Sequence, residues 1–505
     1  MTDLTIISRR TFGAWGAGLA LAAALAGQGG PAWAAARTDI VIGVRLEPPH
    51  LDPTAGAAAA IGEVVYANVL EGLTRIDRNG QVKPQLAESW EISPDGKTYT
   101  FKLRQGAKWH DGAPFSAADV KFTLDRARAA DSTNPQKGLF EPIESVEVVD
   151  PGTVKVTLKR PTGAFLTNMG WPAAVILGQG SAADTKTKPI GTGPFKFEKW
   201  TKGASIDLVR NPDWAGPPVK LDKVTFKVIS DPSAALAAVM AGDIDAFPIY
   251  PAPENLEQFR ADPRLAVVVG NTEGKTILAM NNGKKPFDDI RVRRALSMAI
   301  DRKAIIDGAM YGIAKPIGSH FAPQDPGYVD LVGKYPYDPA AAKALLKEAG
   351  VAPGTKFRLV LPPPEYARRG GEIIASQLKA VGIETEIVPV EWAQWLNDVF
   401  KAKNYDLTVI SHVEPLDIDI YARDDYYFDY KNPAFKALIA ELAGTTDQAK
   451  RLELYGKAQQ MLADDAVNVF LFLLPKTGVW NAKLKGLWEN APIPANDLTE
   501  VSWTE

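Results

Sequence analysis

Between Trp392 and Tyr430 the chain gathers carboxylates and aromatic rings: Trp392, Trp395, Glu414, Asp417, Asp419, Tyr421, Tyr426, Tyr427, Phe428 and Tyr430, with Arg423 among them. Carboxylates of this kind could compensate an ammonium group taken out of water, because a buried charge without a partner is very costly. The rings could stack on an organic cation or hold it by cation–π contact. Each residue also has a plain structural reading. Asp417 and Asp419 could cap or solvate a loop, and most of the tyrosines could simply pack. Arg423 has the fork to grip a ligand carboxylate in bidentate fashion, or it could pair with its neighbours Asp424 and Asp425.

Signals for covalent or metal chemistry are sparse. The four histidines, His50, His110, His320 and His412, stand far apart, and none sits in a metal-ligand or triad spacing. Cysteine is absent, which excludes a disulfide framework, a thiolate metal site and a lipid-bearing cysteine. No Gly-Lys-Ser/Thr phosphate loop is present, so ATP hydrolysis by this chain is not expected. The expectation is therefore that the chain is not an enzyme, with no catalytic residues, no cofactor and no resident metal. A hydrolase built on a chance Ser/His/Asp constellation is the alternative from another class. The formal net charge of −3 and the lack of a long basic run exclude nucleic acid and anionic membrane surfaces as expected partners.

The N-terminus carries an export layout. Ser8-Arg9-Arg10-Thr11-Phe12 precedes an uncharged Ala/Leu/Gly run from Gly13 to Gly30, and small residues follow around Ala34 and Ala36. Residues 1–36 are expected to form a signal peptide, cleaved after Ala34 or Ala36. The arginine pair resembles the twin-arginine signal, which exports folded proteins; a Sec signal that happens to contain Arg-Arg is the alternative. An unanchored protein that must stay near a membrane partner implies the periplasm. About 470 residues remain after cleavage, more than one core usually serves, so two or more lobes are expected.

The elements that would position these groups follow from periodicity. Asp39 to Val44 reads as a buried strand, Ile61 to Leu70 as a helix, and Glu88 to Leu103 as a hairpin turning at Pro94-Asp95-Gly96. Ser116 to Asp119 is a capping box before a helix. Paired strands run over 144–158, and further strands include Phe195 to Phe197 and Val224 to Val228, before a short helix over Pro232 to Ala241. A long helix is predicted over Asp289 to Met310, and Asp338-Pro339 starts another that stops at Gly350. Strand Lys356 to Val360, helix Gly371 to Val381 and strand Glu384 to Val390 then alternate as in an α/β lobe.

Several stretches resemble the family 5 extracellular solute-binding proteins, which include dipeptide, oligopeptide and nickel binders. They are Leu86 to Gly96, Tyr99 to Arg104, Trp109-His110-Asp111-Gly112, Gly191-Thr192-Gly193-Pro194-Phe195, Val292 to Leu296 with Ala299 to Arg302, and Ala342 to Gly350. Most of these motifs read as scaffold: they mark the fold and say little about the ligand. The resemblance implies an α/β, two-lobed periplasmic-binding-protein fold of cluster C type, with an extra subdomain in the first lobe and hinge crossovers. Its divisions would be 37–72, 190–272 and 481–505 for the first lobe, 73–189 for the extra subdomain and 273–480 for the second lobe. The run after Trp480 suits a strand returning to the first lobe. Implied partners are a small-molecule or short-peptide ligand and the permease and ATPase subunits of an ABC importer, served by a monomer that is not embedded in the membrane.

In dipeptide-binding relatives, an Asp that meets the ligand's ammonium follows a ligand-packing Trp by about 22 residues, just ahead of an Asp-Pro-Asp stretch. Here Trp392 is followed at that spacing by Glu414 and then by Asp417-Ile418-Asp419. The resemblance thus implies Glu414 as amine partner, Asp417 in reserve and Trp392 as aromatic contact, with Trp395 either sharing that face or packing in the core. The same relatives grip the peptide carboxylate with an Arg that is missing here, where Leu361-Pro362-Pro363-Pro364 stands and Arg368 and Arg369 align with scaffold. A ligand whose acid is absent, blocked or held elsewhere, by Arg423 for instance, is favoured over a simple dipeptide. The loop Pro53 to Ala60 corresponds to a segment that meets peptide backbones. A nickel-type metal-chelate binder that uses His412, two residues before Glu414, is the remaining alternative.

Overall fold

The computed structural model describes residues 37–504, and the expected export signal lies outside them. Asp39–Val44 is a strand, as its β-branched run implies, and pairs in parallel with Lys223–Val228 along its whole length. That strand continues antiparallel through Ser205–Arg210 to Phe195–Thr201. At the other end of the sheet, Leu407–His412 lies parallel to Thr355–Leu361, which is parallel to Ile383–Pro389. Two long strands, Leu265–Met280 and Asn468–Asn481, pair antiparallel between these sets and join them into one eleven-stranded sheet. Their ladder shifts register between Asn271 and Lys275, and again between Thr276 and Ile277. Such irregularities bend a strand and re-aim its side chains.

Separate apolar clusters form along this sheet. Ile40, Ile42, Phe195, Leu208 and Phe226 pack with Leu487, Trp488, Leu498 and Val501 from the C-terminal run. Leu278, Leu296, Ile305, Leu359, Ile374 and Leu471 form a second cluster, and Trp395, Tyr405, Tyr421, Tyr427 and Phe435 belong to a third. A four-stranded antiparallel sheet of Ala87–Ile92, Thr98–Leu103, Thr153–Leu158 and Ile143–Asp150 has its own core. Tyr99, Phe101 and Leu103 alternate inward there, and the helix Ala117–Arg128 adds Val120 and Leu124. Its capping box forms, with Asp119 accepting the Ser116 N–H at 3.0 Å.

Four sequence expectations are corrected. The first helix covers Ala59–Val65 and stops early, because Tyr66 is extended and Ala67 turns left-handed at φ 58°. The helix expected over 289–310 is two, Ile290–Ala299 and Arg302–Ala309, since Ile300 is extended and the Asp301 carboxylate caps the second by accepting from Lys303 and Ala304 N–H. An Asp that offers its side chain to backbone donors favours such a restart. The helix expected from 371 begins at Glu365, directly after the proline run, and holds Gly371 inside it. A Cβ at Gly371 would stand 2.4 Å from the Leu361 side chain, so glycine there serves helix-on-strand packing and not a start signal. The C-terminal run returns mainly as packing, with only a short ladder between Leu484–Lys485 and Ser502–Trp503. Among the described residues no helix is long and apolar enough to cross a membrane.

Candidate functional site

The strand Leu407–His412 delivers the acidic loop. It is held on both sides, by Leu265–Met280 and by Thr355–Leu361, so the chain leaves it at a fixed point. Val413 to Asp417 follow, then a 3₁₀ turn over Ile418–Ala422. Leu416 adopts φ 54°, a left-handed conformation costly for a branched side chain and kept only where the surroundings enforce it. Lys275 supplies that enforcement: its Nζ donates to Glu414 O at 2.5 Å and pairs with Asp417 Oδ1 at 2.8 Å.

Glu414, Asp417, Asp419 and Asp325 line a pocket of about 270 Å³. Its other wall carries Gln136, Leu139, Asn168 and Trp171. Beneath it lies a buried polar cluster. Besides Lys275, Asp417 Oδ1 takes His320 Nε2 at 3.0 Å, while Asp417 Oδ2 stands 3.9 Å from His412 Nδ1. The Asp417 carboxylate can only accept, so the His320 proton sits on Nε2 and its Nδ1 accepts from Tyr421 Oη at 3.0 Å, while Tyr421 Oη accepts from Asn468 Nδ2 at 3.1 Å. His412 Nε2 is 2.8 Å from Tyr427 Oη.

Burial and charge set the protonation states. Burial would raise Asp417, but Lys275 and His320 outweigh it and hold its carboxyl far below the usual range. Burial lowers His320 despite its carboxylate partner, and pushes His412 down to about 3, with His320 beside it adding to the effect. Lys275 is desolvated too, yet Asp417, Asp325 and Glu273 together raise it. The cluster therefore has one cation, Lys275, and two neutral imidazoles.

Ligand atoms of His320, His412 and Asp417 lie within 4.8 Å of one another, a set that could hold a metal ion. Of this set only His412 was a metal-chelate candidate from sequence; its companion His320 stands 92 positions away. Lys275 Nζ already fills the cationic position at the same carboxylate, which argues against a second cation there.

The other predicted residues fall in different places. Glu414 is exposed at the pocket, and its carboxylate accepts the Val413 N–H at 3.2 Å. Asp419 also lines the pocket and pairs with Arg423 at 2.9 Å, so Arg423 pairs with Asp419 and not with Asp424 or Asp425. Trp392 is 43% exposed, whereas Trp395 is buried and donates Nε1–H to Thr408 Oγ1 at 3.0 Å. Tyr421 is buried in the histidine network. Trp392, Trp395, Tyr421 and Arg423 are not among the residues that line the pocket. Ring contacts still link Trp392 through Trp395 and Tyr427 to His412. Lys275, Glu273, His320 and Asp325 were missed. The one available signal was Glu273-Gly274-Lys275 leading into an otherwise apolar strand.

Comparison with known proteins adds to this geometry. Residues 81–431 match the model of bacterial extracellular solute-binding proteins, family 5 middle. The chain is 33% identical over 462 residues to di/tripeptide-binding protein 1 of Pseudomonas aeruginosa, covering 83% of this chain and 85% of that one. It is 32% identical to the glutathione-binding protein GsiB of Pectobacterium atrosepticum, over 91% and 92% of the two chains. Among solved structures, the periplasmic binding protein DppA of Helicobacter pylori in complex with the peptide STSA superposes with a TM-score of 0.73 at 27% identity, covering 93% of this chain and 99% of that one.

Proposed function

Because this chain belongs to the family 5 bacterial extracellular solute-binding proteins, we propose that it captures a peptide-like or amine-bearing solute at the pocket beside Glu414 and delivers it to the permease of an ABC importer. The observation that carries this reading is the pocket itself, which sets an exposed carboxylate, Glu414, on a loop stapled by Lys275. Glu414 is the partner assigned to the ligand's ammonium. Asp417 and Asp419 line the same wall, paired with Lys275 and Arg423, and the exposed ring of Trp392, outside the pocket lining, is assigned a stacking contact that lobe closure would bring to the ligand. Trp395 and Tyr421, buried and hydrogen bonded, hold the wall from within.

Closure belongs to this proposal as well. The first lobe takes 37–72, 190–272 and 481–505, with the subdomain 73–189, and the second lobe takes 273–480. The long strands Leu265–Met280 and Asn468–Asn481 are the crossovers about which the lobes would move. The mature protein is read as a periplasmic monomer exported by the twin-arginine route. Members of the family are binding proteins, and no catalytic step is assigned to this chain.

The test is mass spectrometry of whatever co-purifies with the periplasmic protein, followed by thermal-shift measurement with the compound found. An amine-bearing solute that raises the melting temperature is expected. A co-purifying anion with no amine, raising it equally, would overturn the ligand class. Turnover of chromogenic ester or peptide substrates, abolished by replacing one histidine, would overturn the non-catalytic reading.

A further inference from the structure

The charges around the pocket are not balanced. Asp325, Glu414, Asp417 and Asp419 face it, and no lysine or arginine is among the residues that line it. Asp417 is neutralised from behind by Lys275 at 2.8 Å, and Asp419 by Arg423 at 2.9 Å. Glu414 has no ion-pair partner among the described residues.

Asp325 is the less obvious of the remaining two. It is 8% exposed, and its Oδ2 accepts the Ala322 N–H at 2.8 Å. Against it stands Glu273, 4% exposed, whose Oε1 accepts from Gln324 Nε2 at 2.7 Å while Oε2 is buried with no hydrogen-bond partner among the described residues. Two carboxyls packed together in a dry site cannot both stay ionised. Burial and the charge of Asp325 push Glu273 well up, and burial raises Asp325 as well, so the two carboxyls hold one proton between them and keep one negative charge. Lys275 is then the one buried cation for two carboxylates, Asp417 and Asp325. A negative charge is left over at the pocket wall.

We infer that this pocket selects an organic cation without a free carboxylate, such as a peptide amide or a decarboxylated amine, and that Asp325 joins Glu414 in reading its positive charge. The inference rests on the pocket being the solute site. A zwitterionic peptide would carry its acid towards Glu414 and Asp325, the two wall carboxylates left without a cation of their own, where like charges repel. A peptide amide or a simple aromatic amine meets the same walls with positive charge alone.

Titration calorimetry on the full mature chain tests this with four probes: alanyl-phenylalanine, its C-terminal amide, its N-acetyl derivative and 2-phenylethylamine. The amide is expected to bind about tenfold or more tightly than the free acid, and the N-acetyl derivative not to bind. Asp325→Asn and Glu414→Gln should each weaken the amide by about tenfold. Equal binding of acid and amide overturns this inference and leaves the solute-binding proposal standing. Failure of all three amine-bearing probes overturns both. Asp325→Asn that keeps the circular dichroism of the unmodified protein and binds the amide unchanged removes Asp325 from the site, and the acid-against-amide comparison stands even if that variant does not fold.

Discussion

Replacing Lys275 with methionine should destabilise the second half of the molecule and make its stability depend on pH in an unusual direction. The side chain is fully buried, and Nζ lies 2.8 Å from Asp417 Oδ1. At an effective dielectric of about 20, that separation corresponds to an attraction of about 6 kcal/mol. Desolvation of both groups offsets much of it, but the methionine variant leaves Asp417 charged, buried and short of its main partner. Breaking a buried pair in this way costs about 3–5 kcal/mol. For a cooperative unit of about 200 residues, that lowers the melting temperature by about 6–20 °C. His320 then becomes the remaining neighbour able to supply a proton. Lys275 acts to lower the His320 pKa, so its removal raises it. If the folded value rises above the unfolded one, near 6.5, the variant regains stability below about pH 6.5 and loses it as pH rises through the folded value. Calorimetric scans between pH 5.5 and 8 should show the deficit largest at the alkaline end, and Lys275→Met/Asp417→Asn should recover much of it. A deficit under about 1 kcal/mol, equal at every pH, would refute the view that Lys275 is the cluster's one cation.

Glu414→Gln should weaken an amine ligand by about 1–3 kcal/mol with little change in melting temperature, because the carboxylate is exposed; unchanged affinity by calorimetry would remove it from the site. His110 accepts from Gly191 N–H on Nδ1 and lies 3.0 Å from Gly193 O through Nε2, and burial lowers its pKa to about 4. Its folded pKa is depressed, so stability present above about pH 6.5 is lost as pH falls towards 4, by about 3 kcal/mol over that window, and denaturant titration of His110→Gln should show a flatter pH profile there. Gly191→Ala should destabilise the protein by at least about 2 kcal/mol, because a Cβ would stand 1.7 Å from Val69 O; a melting temperature within a degree of the unmodified protein would contradict that packing.

Local rules made much of the fold legible. Alternation at Tyr99, Phe101 and Leu103, the box Ser116 to Asp119 and the cap at Asp338-Pro339 each depend on residues a few positions apart, and each formed as read. The errors arose where a distant contact decided. Gly371 looked like a helix start because nothing nearby showed that its missing Cβ makes room for Leu361. The break at Ile300-Asp301 was hidden inside an apolar repeat that continues on both sides of it. The motifs Trp109-His110-Asp111-Gly112 and Gly191-Thr192-Gly193, some eighty residues apart, bond to each other through the His110 ring. Pattern alone cannot reveal such a pairing.

The same distinction separates the two halves of the site. The resemblance to dipeptide-binding relatives, carried by the spacing from Trp392, sufficed to nominate Glu414, Asp417 and Asp419, because a single loop carries all three, and all three line one pocket. What differentiates them chemically comes from elsewhere in the chain. Lys275 arrives on a crossover strand, His320 and Asp325 on a loop between helices, and Tyr421, itself bonded by Asn468, donates to His320 Nδ1. Lys275 and His320 occupy Asp417 internally, and Arg423 occupies Asp419. Of three acids that look equivalent in sequence, Glu414 alone is left without a cation among the described residues. An adjacent lysine would have been visible in the sequence; one 142 positions upstream of Asp417 is not. On the proposed reading, the ligand's charge is set less by the number of acids in the loop than by which of them the rest of the fold has already neutralised.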